Sequence, residues 1–159
     1  MKIDLRGLLA EGAGIVRFSC EADLSDLDFF GVRPFQSGAE VKGEVVKSAG
    51  GLLLEFAIDA ALDALCASCG RSVKVRFYHK ESAYLGEGGE DNEHIAIEGG
   101  ELDIEPVVRD AVVLNMETRI LCGEDCKGVC PKCGANLNDG PCTCPRGIDP
   151  RFEKLRGLL

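Results

Sequence analysis

The sequence predicts an α+β domain, mainly an antiparallel β-sheet or partly open barrel with one packed helix, followed by a cysteine-rich C-terminal module. Three observations predict it. Apolar and polar residues alternate through much of residues 40–84, one helical periodicity runs near 104–115, and six of the nine cysteines fall between positions 122 and 144. The expected organisation is a β-rich domain over 1–121, a metal-binding module over 122–146 and a short tail over 147–159.

The opening Met1–Leu5 and the stretch Ile15–Asp23 read as short strands. The segment "DLSDLDFFGVRPFQSG" reads as a loop that drops Phe29, Phe30 and Phe35 onto the core. Glu40–Lys47 pairs as a hairpin with the strand that follows, through the turn Ser48-Ala-Gly-Gly51. In that strand every even position from Leu52 to Cys66 is apolar or small, while the odd positions include Glu55, Asp59 and Asp63, so one face is buried. A second alternating strand runs from Ser72 to Tyr84, with Val73, Val75 and Phe77 on one side and Lys74, Arg76, Tyr78 and Lys80 on the other. From Glu81 to Glu105 there are nine acidic residues and no Lys or Arg, with the glycine-rich acidic centre at 86–93, which predicts a mobile loop. Asp103-Ile-Glu-Pro106 is a helix start, with Asp103 as the N-cap and Pro near the first turn. Ile104, Val107, Val108, Ala111 and Leu114 recur at helical spacing and predict a single face packed on the sheet. The tail after Pro150 has helical potential, and Arg146, Arg151, Lys154 and Arg156 make it weakly basic.

Composition narrows the function. With 45% apolar and 28% charged residues the protein is ordinary for a globular fold, and it contains no apolar run of membrane-spanning length. The opening "MKIDLRGLLAEG" places Asp4 and Arg6 in a short apolar stretch, unlike a signal peptide, so a cytoplasmic, reducing location is expected. There an odd count of nine cysteines argues against a disulfide framework. The net charge of −9 disfavours nucleic-acid binding except through a local basic patch, and otherwise points to a basic protein partner.

Eight cysteines form four close pairs: Cys66/Cys69, Cys122/Cys126, Cys130/Cys133 and Cys142/Cys144. Such spacing lets two sulfurs of one turn reach the same ion, about 2.3 Å away for zinc. "CPKCG" resembles a zinc knuckle, where backbone N–H groups turn toward the sulfurs and glycine permits a left-handed turn. The expected cofactor is therefore structural zinc, two ions if all eight cysteines are used. Three partitions keep the pairs intact. Joining Cys122/Cys126 to Cys130/Cys133 leaves only Lys127, Gly128 and Val129 to reverse the backbone. Joining Cys130/Cys133 to Cys142/Cys144 leaves the turn-rich link "GANLNDGP" and pairs Cys66/Cys69 with Cys122/Cys126. Closing that long loop costs roughly 3–4 kcal/mol, well below the roughly 10–16 kcal/mol of structural zinc binding. The interleaved partition is also open, without a local advantage.

Other thiol chemistries compete. Cys126-x3-Cys130-x2-Cys133 has the spacing of radical S-adenosylmethionine enzymes, but those carry it in a much larger barrel. A redox-active C-x2-C calls for a thioredoxin-like βαβ context, where this sequence offers antiparallel strands. Reduced, unliganded thiols are the plain alternative, and Cys20 reads as a buried small apolar residue. His79 and His94 have no plausible nucleophile beside them, and Gly86, Gly88 and Gly89 lie among acids that repel phosphate, so no enzyme is expected. The candidate nucleic-acid surface is Arg71, Lys74, Arg76, Tyr78 and Lys80, cations interleaved with an aromatic ring. Its competing explanation is a solvated face whose cations pair with neighbouring acids.

A β-rich body, a central C-x2-C pair after a strand, a D-x-E-P helix start and then "LCGEDCKGVCPKCGANLNDGPCTC" together resemble the bacterial YceD family, described as large-ribosomal-RNA-subunit accumulation proteins. The specificity lies almost wholly in residues 121–144; Cys66 and Cys69 match the family's central pair, where Ser68 and Gly70 replace its usual Arg and Leu. The resemblance implies a cytosolic, non-enzymatic factor for 23S ribosomal RNA accumulation and large-subunit biogenesis. It would bind ribosomal RNA directly, or a basic ribosomal protein through its acidic surface, with no membrane and no small-molecule substrate. The rival class is a thiol-based redox or metal-handling protein.

Overall fold

Alternating side chains build the long strands of the computed structural model, which describes residues 1–10, 13–29, 31–86 and 94–144. The protein divides into two compact units: Met1–Ala64 with Ser72–Thr118, and Leu65–Arg71 with Arg119–Leu159. Among the described residues, the regular elements lie in the first unit, save Leu65 at the end of β4. In sequence order these are β1 (Lys2–Asp4), α1 (Arg6–Ala10), β2 (Gly14–Ala22), β3 (Ala39–Ser48), β4 (Gly51–Leu65), β5 (Ser72–Gly86), β6 (Ile95–Ala96), β7 (Glu101–Asp103) and α2 (Ile104–Asn115).

β2 to β6 form one sheet in sequence order, and β1 pairs with β7 in a second, two-stranded sheet. β3 and β4 are the expected hairpin: Ser48 faces Gly51 across the turn, and the antiparallel register sets Val45 opposite Leu54. β2 continues the antiparallel pairing, with Val16 opposite Val45. β6 runs parallel to the end of β5, so the sheet is mixed, and it stays open rather than closing into a barrel.

The even positions of β4 make the core face. Leu54 and Ile58 are fully buried, as are Val41 and Val45 on β3. Phe35 closes this core from the preceding loop, stacked edge-on against Phe77 at 6.4 Å between ring centroids. Phe29 meets Phe35 edge-on at 6.3 Å but is only half-buried, and Phe30 lies outside the described residues. Among the loop's described residues, Leu24 joins Phe35 in the core, with no exposed surface. Cys20, expected inside, is half-buried on β2, where burial pushes its thiol pKa up.

The opening strand is observed as β1, but where one helix was expected the described residues hold two: Asp4 accepts hydrogen bonds from the backbone N–H (2.9 Å) and Nε of Arg6, capping α1, which buries Leu8. The acidic segment 81–105 holds more strand than the expected one that ends at Tyr84. β5 continues to Gly86, β6 pairs with it, and β7 pairs with β1 to bury Leu102 completely, because the apolar residues scattered among the acids still reward burial. Its centre at 87–93, the tail from 145 and the basic residues Arg146, Arg151, Lys154 and Arg156 lie outside the described residues. Finally, α2 does not pack all its apolar residues. Ile104, Val108, Ala111 and Val112 are buried, Val107 is half-buried, and Leu114 is 82% exposed.

The helix begins where the acids predict. Asp103 is extended (φ −84°, ψ 106°), and its carboxylate accepts from the backbone N–H of Glu105. No helix among the described residues is long and apolar enough to cross a membrane.

Candidate metal centre

The described residues of the second unit are arranged mainly in turns. In the first C-x2-C-G segment, Cys66 N–H donates to the Arg71 carbonyl and Gly70 N–H returns to the Cys66 carbonyl, both at 2.8 Å. The second repeats the pattern: Cys130 N–H donates to Ala135 and Gly134 N–H returns to Cys130, again at 2.8 Å. Gly70 (φ +70°) and Gly134 (φ +71°) both occupy the left-handed region that glycine reaches without a steric cost. The same short sequence thus folds the same knuckle twice, and the leading cysteine is buried in each.

The segment after Cys126 ties these turns together. Val129 bridges Asn136, and Leu137 N–H donates to the Gly128 carbonyl at 2.9 Å. Ala67 N–H donates to Ile120 at 2.8 Å, setting the first knuckle beside the approach to Cys122.

The result is two groups of four thiols, Cys66, Cys69, Cys122 and Cys126, and Cys130, Cys133, Cys142 and Cys144, with the sulfurs of each group within 4.8 Å of one another. This is the partition that the turn-rich link favours. Cys66 to Cys126 and Cys69 to Cys122 are both 3.6 Å between sulfurs. Four sulfurs about 2.3 Å from a tetrahedral ion would be ~3.8 Å apart, whereas a disulfide needs ~2.05 Å. The spacing therefore fits a shared ion, and all eight thiols are free.

Electrostatics supports the same fit. Burial pushes the Cys66 thiol up, but the N–H groups of Ser68, Cys122 and Cys69 outweigh it and hold the pKa at about 6. In the second group the N–H groups of Cys133 and Lys132 bring Cys130 to about 6, with Lys132 N–H 3.4 Å from its sulfur. Cys126 is also lowered, by the Gly128 N–H and by the Asn138 side-chain amide. Conversely, the thiols of Cys126 and Cys69 raise Cys122 to about 12, and Cys133, ahead of burial, does the same to Cys144. Each group readily makes its first thiolate and resists making its last, as like charges brought this close must. A divalent cation there removes the conflict. Four soft sulfur donors with no carboxylate or imidazole among them suit zinc, and four protein ligands leave no open coordination position.

Sequence reasoning missed Asn138. Its amide donates to the Cys126 sulfur at 3.5 Å, while its carbonyl oxygen accepts from Lys127 N–H at 2.9 Å. The signal was present in the N-L-N-D run, which also reads simply as turn-forming.

The basic strand face is largely neutralised. Arg76 makes a two-pronged contact with Asp59, with Nε at 2.8 Å, and Lys74 lies 3.8 Å from Asp63. Arg76 and Lys80 both stand over the Tyr78 ring, at 5.4 and 5.9 Å from its centre. Arg71 belongs to the second unit, where it pairs with Asp139 at 2.6 Å. His79 bonds Glu81 at 2.9 Å, and the His94 ring lies beside Tyr84, tilted by 50° with centroids 6.1 Å apart.

Comparison with known proteins adds a family. The model of the family described as "Large ribosomal RNA subunit accumulation protein YceD" matches residues 54–159. A chloroplastic protein of Arabidopsis thaliana, named large ribosomal RNA subunit accumulation protein YCED homolog 1, is 46% identical over 57 residues, 36% of this chain and 18% of that protein. Its Zea mays namesake is 39% identical over 72 residues, 44% of this chain and 24% of that protein. An uncharacterized protein of Mycobacterium bovis is 32% identical over 117 residues, 69% of this chain and 56% of that protein. The match thus spans less than two thirds of each of these relatives. No solved structure matches it.

Proposed function

The chain belongs to the family of the large ribosomal RNA subunit accumulation protein YceD, and from that premise we propose that it is a non-catalytic factor in accumulation of the large-subunit 23S ribosomal RNA. Its second unit would be held by two structural zinc ions, one on Cys66, Cys69, Cys122 and Cys126 and one on Cys130, Cys133, Cys142 and Cys144. Zinc would supply cross-linking energy and charge neutralisation there, with no open coordination position for a substrate. The protein's own groups do the rest: the knuckle N–H groups and the Asn138 amide stabilise sulfur as thiolate before any ion arrives. Uncrosslinked thiols in this arrangement suit a reducing compartment such as the cytosol.

The observation that supports the non-catalytic reading is the pair of closed four-thiol groups, whose four protein sulfurs each would leave a bound ion no open position for a substrate. Partner choice follows from charge. The net charge is −9, and Lys74 and Arg76 are already paired with Asp63 and Asp59, so a basic ribosomal protein is a better partner than bare ribosomal RNA. Crosslinking in the native cell, read for both RNA and ribosomal proteins, tests this. Large-subunit proteins should dominate, and K74E/R76E should leave the association intact. An association dominated by RNA, lost in K74E/R76E and weakening steeply with salt, would replace the protein partner with direct RNA binding. Readily exchanged zinc with freely oxidising thiols would instead favour a redox or metal-handling role.

A further inference from the structure

Helix α2 carries more apolar surface than its own packing uses. Val107, Ala111 and Leu114 follow one another at helical spacing, and with Ala83 of β5 and Ile95 of β6 they line a groove of about 620 Å³ within the first unit. Leu114 is 82% exposed at one end of this stripe, where it continues the apolar lining of the groove. The groove's remaining polar lining is acidic. Glu81, Glu98, Glu101, Asp103 and Asp110 contribute five carboxylates, against one cation, Lys2. Some are engaged within the fold: Glu101 with Arg6 at 2.8 Å and Lys2 at 3.6 Å, Glu81 with His79, and Asp103 with the Met1 ammonium at 2.7 Å. Glu98 and Asp110 make no ion pair among the described residues, and both are exposed.

We propose that this groove docks a basic polypeptide segment bearing one large apolar anchor. The proposal rests on the ribosomal reading above and names the partner's chemistry. An apolar floor favours an aliphatic or aromatic side chain, and the unpaired carboxylates at Glu98 and Asp110 favour lysine or arginine beside it. The same carboxylates repel phosphate, which turns away RNA and anionic lipid headgroups. The groove belongs wholly to the first unit and uses none of the cysteines.

The test uses the full-length, zinc-loaded protein and an array of overlapping peptides spanning the large-subunit ribosomal proteins. Bound peptides should share lysines or arginines around one large apolar residue. Leu114→Ser should weaken binding about ten- to hundredfold, the range for losing one buried leucine contact. The pair Glu98→Lys and Asp110→Lys should weaken it comparably and flatten its salt dependence. All three positions are exposed, so zinc content and melting should stay at wild-type values. Peptide binding that is unchanged in these variants, or equal for acidic peptides, overturns the groove. Co-sedimentation with large-subunit particles separates the two levels. Loss of association in Leu114→Ser supports the groove. Association unchanged in the variants overturns the groove and leaves the ribosomal reading standing. A wild-type protein that joins no particle overturns that reading and the groove's ribosomal partner with it.

Discussion

Asn138 donates its side-chain amide to the Cys126 sulfur at 3.5 Å, although Asn138 sits in the link that closes the other thiol group, Cys130/Cys133 with Cys142/Cys144. The loop of one centre thus supplies an outer hydrogen bond to a ligand of the next. Outer partners of this kind typically contribute 10–100-fold in metal affinity. Asn138→Ala should therefore weaken zinc at the Cys66/Cys69/Cys122/Cys126 site by about that factor, with a smaller effect on its neighbour. Chelator competition would resolve two zinc-release phases and show one accelerated. Two phases indistinguishable from wild type would mean that the bond contributes nothing to affinity.

Zinc should be stoichiometric and structural. Native mass spectrometry is expected to find two ions per molecule, and each Cys→Ser change at buried Cys66 or Cys130 to remove one. Apparent binding of roughly 10–16 kcal/mol per structural site exceeds what a unit made of turns can otherwise hold together. Chelation should then abolish amide protection at Gly70 and Gly134 while β3 and β4 stay protected. Hydrogen exchange reads both regions at once, and a metal-free protein protected at both glycines would refute the structural role.

Among the described glycine turns of the thiol unit, Gly128 is the tightest. It lies at φ +69°, and a Cβ there would stand 3.1 Å from the Ser68 carbonyl oxygen. Gly128→Ala combines a left-handed alanine, about 1–2 kcal/mol, with a contact the first knuckle must yield to. Gly134, also left-handed, has open space around it, so Gly134→Ala meets the strain without the clash. Zinc retention during urea titration should rank wild type above Gly134→Ala above Gly128→Ala. Equal losses would show that the Ser68 contact carries no energy.

Asp103 caps α2, and the Met1 ammonium, then the Glu105 N–H, hold its carboxyl below the usual range. A depressed pKa contributes stability present above the unfolded value, about 3.9, and lost as pH falls through the folded value beneath it. Asp103→Asn keeps the cap without the charge, so its melting temperature should fall less than that of Asp103→Ala and depend less on pH below about 4. Thermal melts between pH 2.5 and 7 measure both. Identical acid limbs in all three proteins would place the linkage elsewhere.

Much of this architecture was legible because its causes are local. Alternation along β4 names the residues that become core, from Leu52 to Leu62, and Ser48-Ala-Gly-Gly51 names the hairpin. Short spacing restricts a thiol pair to one turn, and the length of "GANLNDGP" favours the grouping observed. What stayed hidden depends on partners distant in sequence. β7 was masked by its acidic surroundings until β1 arrived to pair with it, placing Ile3 opposite Leu102.

By itself, then, the sequence determined which cysteines travel together and which face of each long strand is apolar, since both follow from reach and periodicity over a few residues. Only the tertiary structure decided how surfaces are used. Asp59 and Asp63 turn the basic side of β5 into a paired face, Asn138 becomes a sulfur donor, and Leu114 is left outside the core that its spacing promised. A helical period identifies an apolar stripe, but burial requires another element to cover it, and none of the described elements covers Leu114.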